Sequence, residues 1–138
     1  MSNTEAMLIE LPHFLDGTGS LTVLEGEDKV PFLIKRVFIV YAQVGEVRGQ
    51  HAHRLCSQFM ICSSGSVEVV TNNGKDEHVY LLNTPNIGLM VPPALWAQET
   101  YLESDSVLTV LCDMNYDPED YIHGIDEFMK IYGGRNGR

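Results

Sequence analysis

Val67-Glu68-Val69-Val70-Thr71-Asn72-Asn73-Gly74-Lys75-Asp76-Glu77-His78-Val79-Tyr80-Leu81-Leu82 carries the reading that decides the fold. Two runs rich in β-branched and aromatic residues, 67–71 and 78–82, flank Asn73-Gly74, a pair that tolerates positive φ at both positions. The spacing predicts that the two runs pair directly as a β-hairpin. The same grammar extends outward in both directions: apolar runs at 21–25, 34–43, 51–53, 58–63, 87–91, 97–102 and 106–113 alternate with Gly, Asn, Asp and Pro clusters. Only the end of the chain changes period. Asp117 followed by Pro118, Glu119 and Asp120 reads as a capped helix start, and Tyr121, Ile125, Phe128 and Tyr132 then recur at a spacing that faces one side. Gly133-Gly134 closes the helix, and 133–138 reads as a frayed tail or a junction to further chain. Nine short strands and one terminal helix predict an all-β sandwich or barrel, whose mouth is a common place for a ligand.

The 138 residues suffice for one compact core, so 1–138 is read as a single domain. Nine Lys and Arg against nineteen Asp and Glu leave a net charge of -10, which disfavours nucleic acid and anionic membrane surfaces as partners. The longest apolar run, 37–42, is far short of the roughly 20 residues that cross a bilayer. Residues 1–10 carry two glutamates and no Lys or Arg, unlike a signal peptide, so a cytoplasmic protein is expected. Cys56, Cys62 and Cys112 are odd in number and form no C-x-x-C pair; they read as small buried apolar residues.

The chemistry concentrates in Gly45-Glu46-Val47-Arg48-Gly49-Gln50-His51-Ala52-His53. In an extended strand His51 and His53 project to one face, so two imidazoles converge while Ala52 points away. Five residues separate Gly45 from His51, four separate His53 from Gln58, and six separate Gln58 from Gly65. This resembles the first cupin motif, and Gly88-Leu89-Met90-Val91-Pro92-Pro93-Ala94-Leu95-Trp96 resembles part of the second. The resemblance implies a cupin jelly-roll or β-barrel with a short C-terminal helix. Gln58 stands where the motif has its carboxylate, and Ala97 where it has its third histidine. Two imidazoles and a neutral amide make a poor divalent site, so no metal and no other cofactor is expected. Histidines that are not ligands are free to act as acids and bases near neutral pH.

A second resemblance spans almost the whole chain. Asp16 to Leu21, Pro31 to Phe38, Arg48 to His53, Gly88 to Trp96 and Tyr116 to Ile122, in that order, are similar to the sugar-nucleotide 3,4-ketoisomerases. That family implies a metal-independent cupin, usually a dimer, which converts dTDP-4-keto-6-deoxyglucose into its 3-keto isomer during synthesis of dideoxy amino sugars of surface polysaccharides such as lipopolysaccharide O-antigen. It implies His51 as the principal acid/base, with His53 assisting proton transfer or orienting the sugar. Tyr41 is a candidate proton or hydrogen-bond donor, or else a barrel-lining aromatic. Arg48 suits a diphosphate or a developing oxyanion, or is an exposed loop charge. Arg36, sharing a face with Phe38 and Val40, is preferred over Lys35 for lining the cavity. Trp96 either walls the sugar or fills core, and Gln98, two residues on, is placed to bond a sugar hydroxyl. Thr18 and Ala97 stand where family members often carry larger polar residues, and both are expected beside the sugar. Small residues there leave the C4 configuration of the product, galacto or gluco, open.

Three rivals accompany this reading: a 3,5-epimerase-type cupin, a non-catalytic sugar-nucleotide-binding domain, and a metal-dependent cupin oxygenase. A fused or partner acetyltransferase or aminotransferase is the natural neighbour of the leading one.

Overall fold

The computed structural model describes residues 4–134. Its elements in chain order are β1 (Met7–Glu10), β2 (His13–Asp16), β3 (Gly19–Thr22), β4 (Arg36–Tyr41), β5 (Val47–His53), β6 (Gln58–Ser64), β7 (Val67–Asn72), β8 (Glu77–Leu82), β9 (Ile87–Val91), β10 (Trp96–Tyr101), β11 (Val107–Cys112), β12 (Tyr121–His123) and α1 (Ile125–Tyr132). Two five-stranded antiparallel sheets face each other as a jelly roll, ordered β1-β9-β6-β11-β4 and β12-β5-β10-β7-β8. The hairpin β2-β3 stands apart from both. From β4 onward the chain crosses from one sheet to the other at nearly every step, so most partners are distant in sequence.

The core lies between the sheets, where Met60 and Cys62 of β6, Val67 and Val69 of β7 and Leu108 and Val110 of β11 are all buried. The Gln58–Cys62 part of β6 is buried on both faces. It is a central strand, and Leu11, Val30, Phe59, Ile61 and Leu111 form a second apolar layer behind it. A third layer, Ala52, Trp96, Ile122 and Phe128, lies under α1. The three cysteines are buried free thiols.

The expected all-β class and terminal helix are present, with four local differences. The β7-β8 connection is a four-residue loop, not a two-residue turn. Gly74 alone of the Asn-Gly pair has positive φ, and the Asn73 side chain instead accepts from the N–H groups of Lys75 and Asp76 at 2.9 and 2.8 Å. The N-terminal strands β1 and β2 are additional, and β3 begins earlier than the predicted 21–25 run.

Asp117 does cap a turn, accepting from the Glu119 N–H at 3.0 Å, but the turn is a single 3-10 helix, Pro118–Asp120. The chain then extends as β12 to pair with β5, Tyr121 opposite His53 and His123 opposite His51. Gly124, at φ +85°, redirects it into α1, so Tyr121 belongs to the sheet and not to the helix.

The predicted fray does not begin at Gly133. The Gly133 and Gly134 N–H groups donate to the carbonyls of Met129 and Gly74, at 2.8 and 2.9 Å. The rest of the predicted tail, 135–138, lies outside the described residues.

Candidate functional site

Strand β5 aims the site. Gly49 and Gln50 both have left-handed backbone, φ +81° and +60°, a conformation costly for Gln. Across from them the register to β10 shifts: His51 opposes Ala97, but Gly49 opposes Gln98, so Gln50 is the extra residue of a bulge. Beyond it His51 and His53 turn into a cavity of about 110 Å³ between the sheets. Phe38 and Val40 of β4, Met60 of β6, and Leu108 and Val110 of β11 make its apolar wall; Arg48, Gly49, Ala97 and Glu99 line the other side.

The two imidazoles stand edge to face, their centroids 5.2 Å apart. Tyr121 packs on both, at 4.3 Å from His53 and 5.0 Å from His51, and stacks on His123. Burial, reinforced by the neighbouring His53, pulls the His51 pKa down to about 4 against a hydrogen bond to the Gly49 carbonyl. His51 is therefore neutral at physiological pH. A neutral ring that donates one N–H to that carbonyl keeps its other nitrogen bare.

His53 is only 5% exposed, and burial lowers its pKa too, although Asp120 opposes the shift. Its Nδ1 lies 2.9 Å from Asp120 Oδ2. A carboxylate only accepts, so Nδ1 carries the proton and the buried, unpartnered Nε2 presents a lone pair. Asp120 also accepts from the backbone N–H groups of Leu55 and Cys56, at 2.6 and 3.3 Å. Its carboxylate thus holds the β5-β6 loop and the His53 tautomer together. His53, Cys56 and Asp120 are close enough to share a cation, and three of the roughly four lone-pair positions of the Asp120 carboxylate already accept hydrogen bonds.

The other expected residues divide. Arg48 lies at the cavity mouth. Arg36 shares the inward face of β4 with Phe38 but is not among the residues lining the cavity, because it donates to Cys112 Sγ at 3.4 Å and lies over the rings of Phe38 and Tyr116. Ala97 lines the cavity, but Trp96 and Gln98 do not, because β10 turns Ala97 and Glu99 inward. Trp96 fills the layer under α1, and Gln98 faces an outer groove with Gln50 and Glu77.

Tyr41 is 76% exposed on the outward face of β4 with Val37 and Ile39, so the chain does not bring it to the histidines. The phenol beside them is that of Tyr121. Thr18 sits on the β2-β3 turn, bonded to Asp16, and lines a separate shallow groove.

Sequence reasoning missed four residues here: Glu99, Asp120, Tyr121 and His123. Strict alternation from Ala97 would have found Glu99. The other three follow from β12, whose three residues are too few to show a period.

Over residues 4–133 the chain matches the family described as FdtA: WxcM-like, C-terminal. A TDP-4-oxo-6-deoxy-alpha-D-glucose-3,4-oxoisomerase of Aneurinibacillus thermoaerophilus is 37% identical over 127 residues, 91% of this chain and 91% of that protein. The crystal structure of the H51N mutant of the 3,4-ketoisomerase QdtA from Thermoanaerobacterium thermosaccharolyticum, in complex with TDP-4-keto-6-deoxyglucose, matches with a TM-score of 0.91. It is 32% identical and covers 98% of each chain. The TDP-quinovose 3,4-ketoisomerase WlaRB of Campylobacter jejuni matches with a TM-score of 0.85 at 35% identity, over 91% of this chain and 97% of that one. A jelly roll with paired histidines facing its cavity, matched over nine-tenths or more of its length by these enzymes, belongs to the FdtA family of sugar 3,4-ketoisomerases.

Proposed function

We propose that this protein isomerises dTDP-4-keto-6-deoxyglucose to a dTDP-3-keto-6-deoxyhexose by acid/base proton transfer through an enediol. The observation that carries this reading is a pair of neutral imidazoles facing one enclosed cavity with an arginine at its mouth.

The bare nitrogen of His51 takes the C3 proton, and the C4 carbonyl becomes the enolate oxygen of a C3–C4 enediol. Proton return to C4, with the O3 proton passing to O4, leaves a carbonyl at C3 and a hydroxyl at C4. His53 assists as a second proton carrier, its ring set by Asp120. Arg48 holds the diphosphate at the mouth, where a fixed cation suits an anion that stays in solvent. Ala97 flanks the sugar.

The direct test is proton NMR of chelator-treated protein with dTDP-4-keto-6-deoxyglucose in deuterated buffer. A 3-keto product carrying deuterium at C4 supports the reading, and its couplings assign the C4 configuration. Unchanged substrate, or exchange at C5 in place of C4, overturns it in favour of binding alone or of epimerisation.

The acid limb of kcat/KM is a second test. A base with the unperturbed imidazole value is lost as pH falls through about 6.5. His51 is lost only as pH falls through about 4. Activity therefore persists at pH 5, and a midpoint near 6.5 overturns the assignment of a buried His51 as the base.

The working unit is a homodimer in the cytoplasm, beside an aminotransferase or acetyltransferase that uses the keto sugar. Its support is apolar surface: Phe14, Leu15 and Leu21 on the β2-β3 hairpin and Val37, Ile39 and Tyr41 on β4 are all more than half exposed. Tyr41 and Thr18 then face that interface and not the histidines of their own chain. Light scattering is expected to give twice the 15.5 kDa chain mass, and a monomer at micromolar concentration removes the dimer. Among the described residues no helix is long and apolar enough to cross a membrane.

A further inference from the structure

Glu99 is the group in this cavity whose presence needs a reason. It is 7% exposed, yet its side chain faces the cavity that the histidines share. Its carboxyl lies against the backbone of Gly49, where an added Cβ would come within 2.7 Å of Oε2 and 2.9 Å of Oε1. The carbonyl of that same Gly49 takes the hydrogen bond from His51. Carboxyl and imidazole thus adjoin one residue of the β5 bulge.

The titratable and charged groups around Glu99 are few: Arg48, His51 and His53 on β5, Tyr101 on β10 and, from the opposite sheet and its connection, Cys56 and Cys62. The uncharged lining of that sheet is the Gln58 amide and apolar side chains, notably Val40, Met60 and Leu108. Burial pushes its pKa up to about 8 against the pull of Arg48, and no hydrogen bond from the chain takes part in that balance. At neutral pH it is a carboxylic acid whose O–H has no hydrogen-bond partner among the described residues. A buried donor left unused is costly unless a ligand takes it up.

We propose that Glu99 is a catalytic residue that donates this hydrogen bond to the enolate oxygen formed when His51 removes the C3 proton. Its O–H bond stays intact throughout. A neutral donor in a water-poor cavity strengthens its bond as negative charge develops, which lowers the barrier more than it tightens substrate binding. The inference rests on the ketoisomerase reading and adds to it the oxyanion-stabilising group.

The test compares kcat and KM of wild type, Glu99→Gln and Glu99→Leu from pH 6 to 10. Wild-type kcat is expected to fall above about pH 8, where Glu99 ionises and can no longer donate. Glu99→Gln, which keeps an N–H donor and cannot ionise, retains activity and loses that alkaline fall. Glu99→Leu loses about 10²-fold in kcat with KM changed only a few-fold.

An alkaline fall that survives in Glu99→Gln, or full kcat in Glu99→Leu, overturns the role. Should neither variant fold, infrared titration of the wild type decides: a protonated carboxyl band is expected at pH 7 and lost above pH 8, and its absence at pH 7 overturns the role. Wild-type protein that never isomerises the sugar removes the ketoisomerase reading and this role together. Wild-type turnover with an indifferent Glu99→Leu removes the role alone.

Discussion

His51→Asn protein is expected to bind the dTDP-sugar and turn it over about 10³-fold more slowly than wild type, within the usual range for losing a general base. Asparagine can still donate to the Gly49 carbonyl that His51 engages, so the β5 bulge should keep its shape. What disappears is the bare ring nitrogen, because an amide has no basic lone pair near neutral pH. NMR in deuterated buffer reads both halves of this expectation. Ligand-induced shifts should persist while deuterium enters neither C3 nor C4. Near-wild-type exchange in a folded His51→Asn protein would falsify the assignment and turn attention to Nε2 of His53, the other unpartnered ring nitrogen of the cavity.

Asp120→Ala is expected to cost about 3 to 5 kcal/mol of stability, since each donor left without an acceptor costs about 1 to 3 kcal/mol. Its carboxylate collects the His53 Nδ1–H and two loop N–H groups, and the alanine would leave all three donors without it, those of His53 and Cys56 buried. Asp120→Asn should cost less, since one oxygen still accepts, but its NH2 must then face a donor. Urea denaturation measures the loss, and ring nitrogen shifts of His53 should show the tautomer mixing once Nδ1 has no carboxylate. A loss below about 1 kcal/mol would mean that water replaces the carboxylate freely, and that the loop is not organised by it.

The strands were legible wherever apolar runs met clear punctuation, as in β6, β9 and β11. The helix start at Asp117-Pro118 was misread for a physical reason: a cap and a proline specify a first turn, not how far the helix continues. Long-range pairing with β5 overrode local preference at Tyr121.

The histidine pair was legible from the two-residue period alone, and so was the inward choice of β4, since Arg36, Phe38 and Val40 alternate with exposed neighbours. The same period argues against Tyr41 as a cavity residue, because it falls in the outward phase with Val37 and Ile39. Along β10 the phase was assigned from Trp96, whereas the buried acid Glu99 reads as polar and hence outward until its surroundings are known. Left-handed Gln50 carried no sequence signal at all.

The back-and-forth passage of the chain between the two sheets bears on how the protein acquires activity. The strand β5 that holds both histidines is joined to β12, some seventy positions later, and β4 to β11 at a similar remove. Closing such loops precedes any reward from the contacts they permit, so a chain of this topology folds on the slow side, in milliseconds to seconds. His53 acquires its proton arrangement only when Asp120 arrives with the last strand. During refolding, secondary structure should therefore be regained ahead of turnover, and a nascent chain still lacking β12 has its histidines in place on β5 but not yet a working pair.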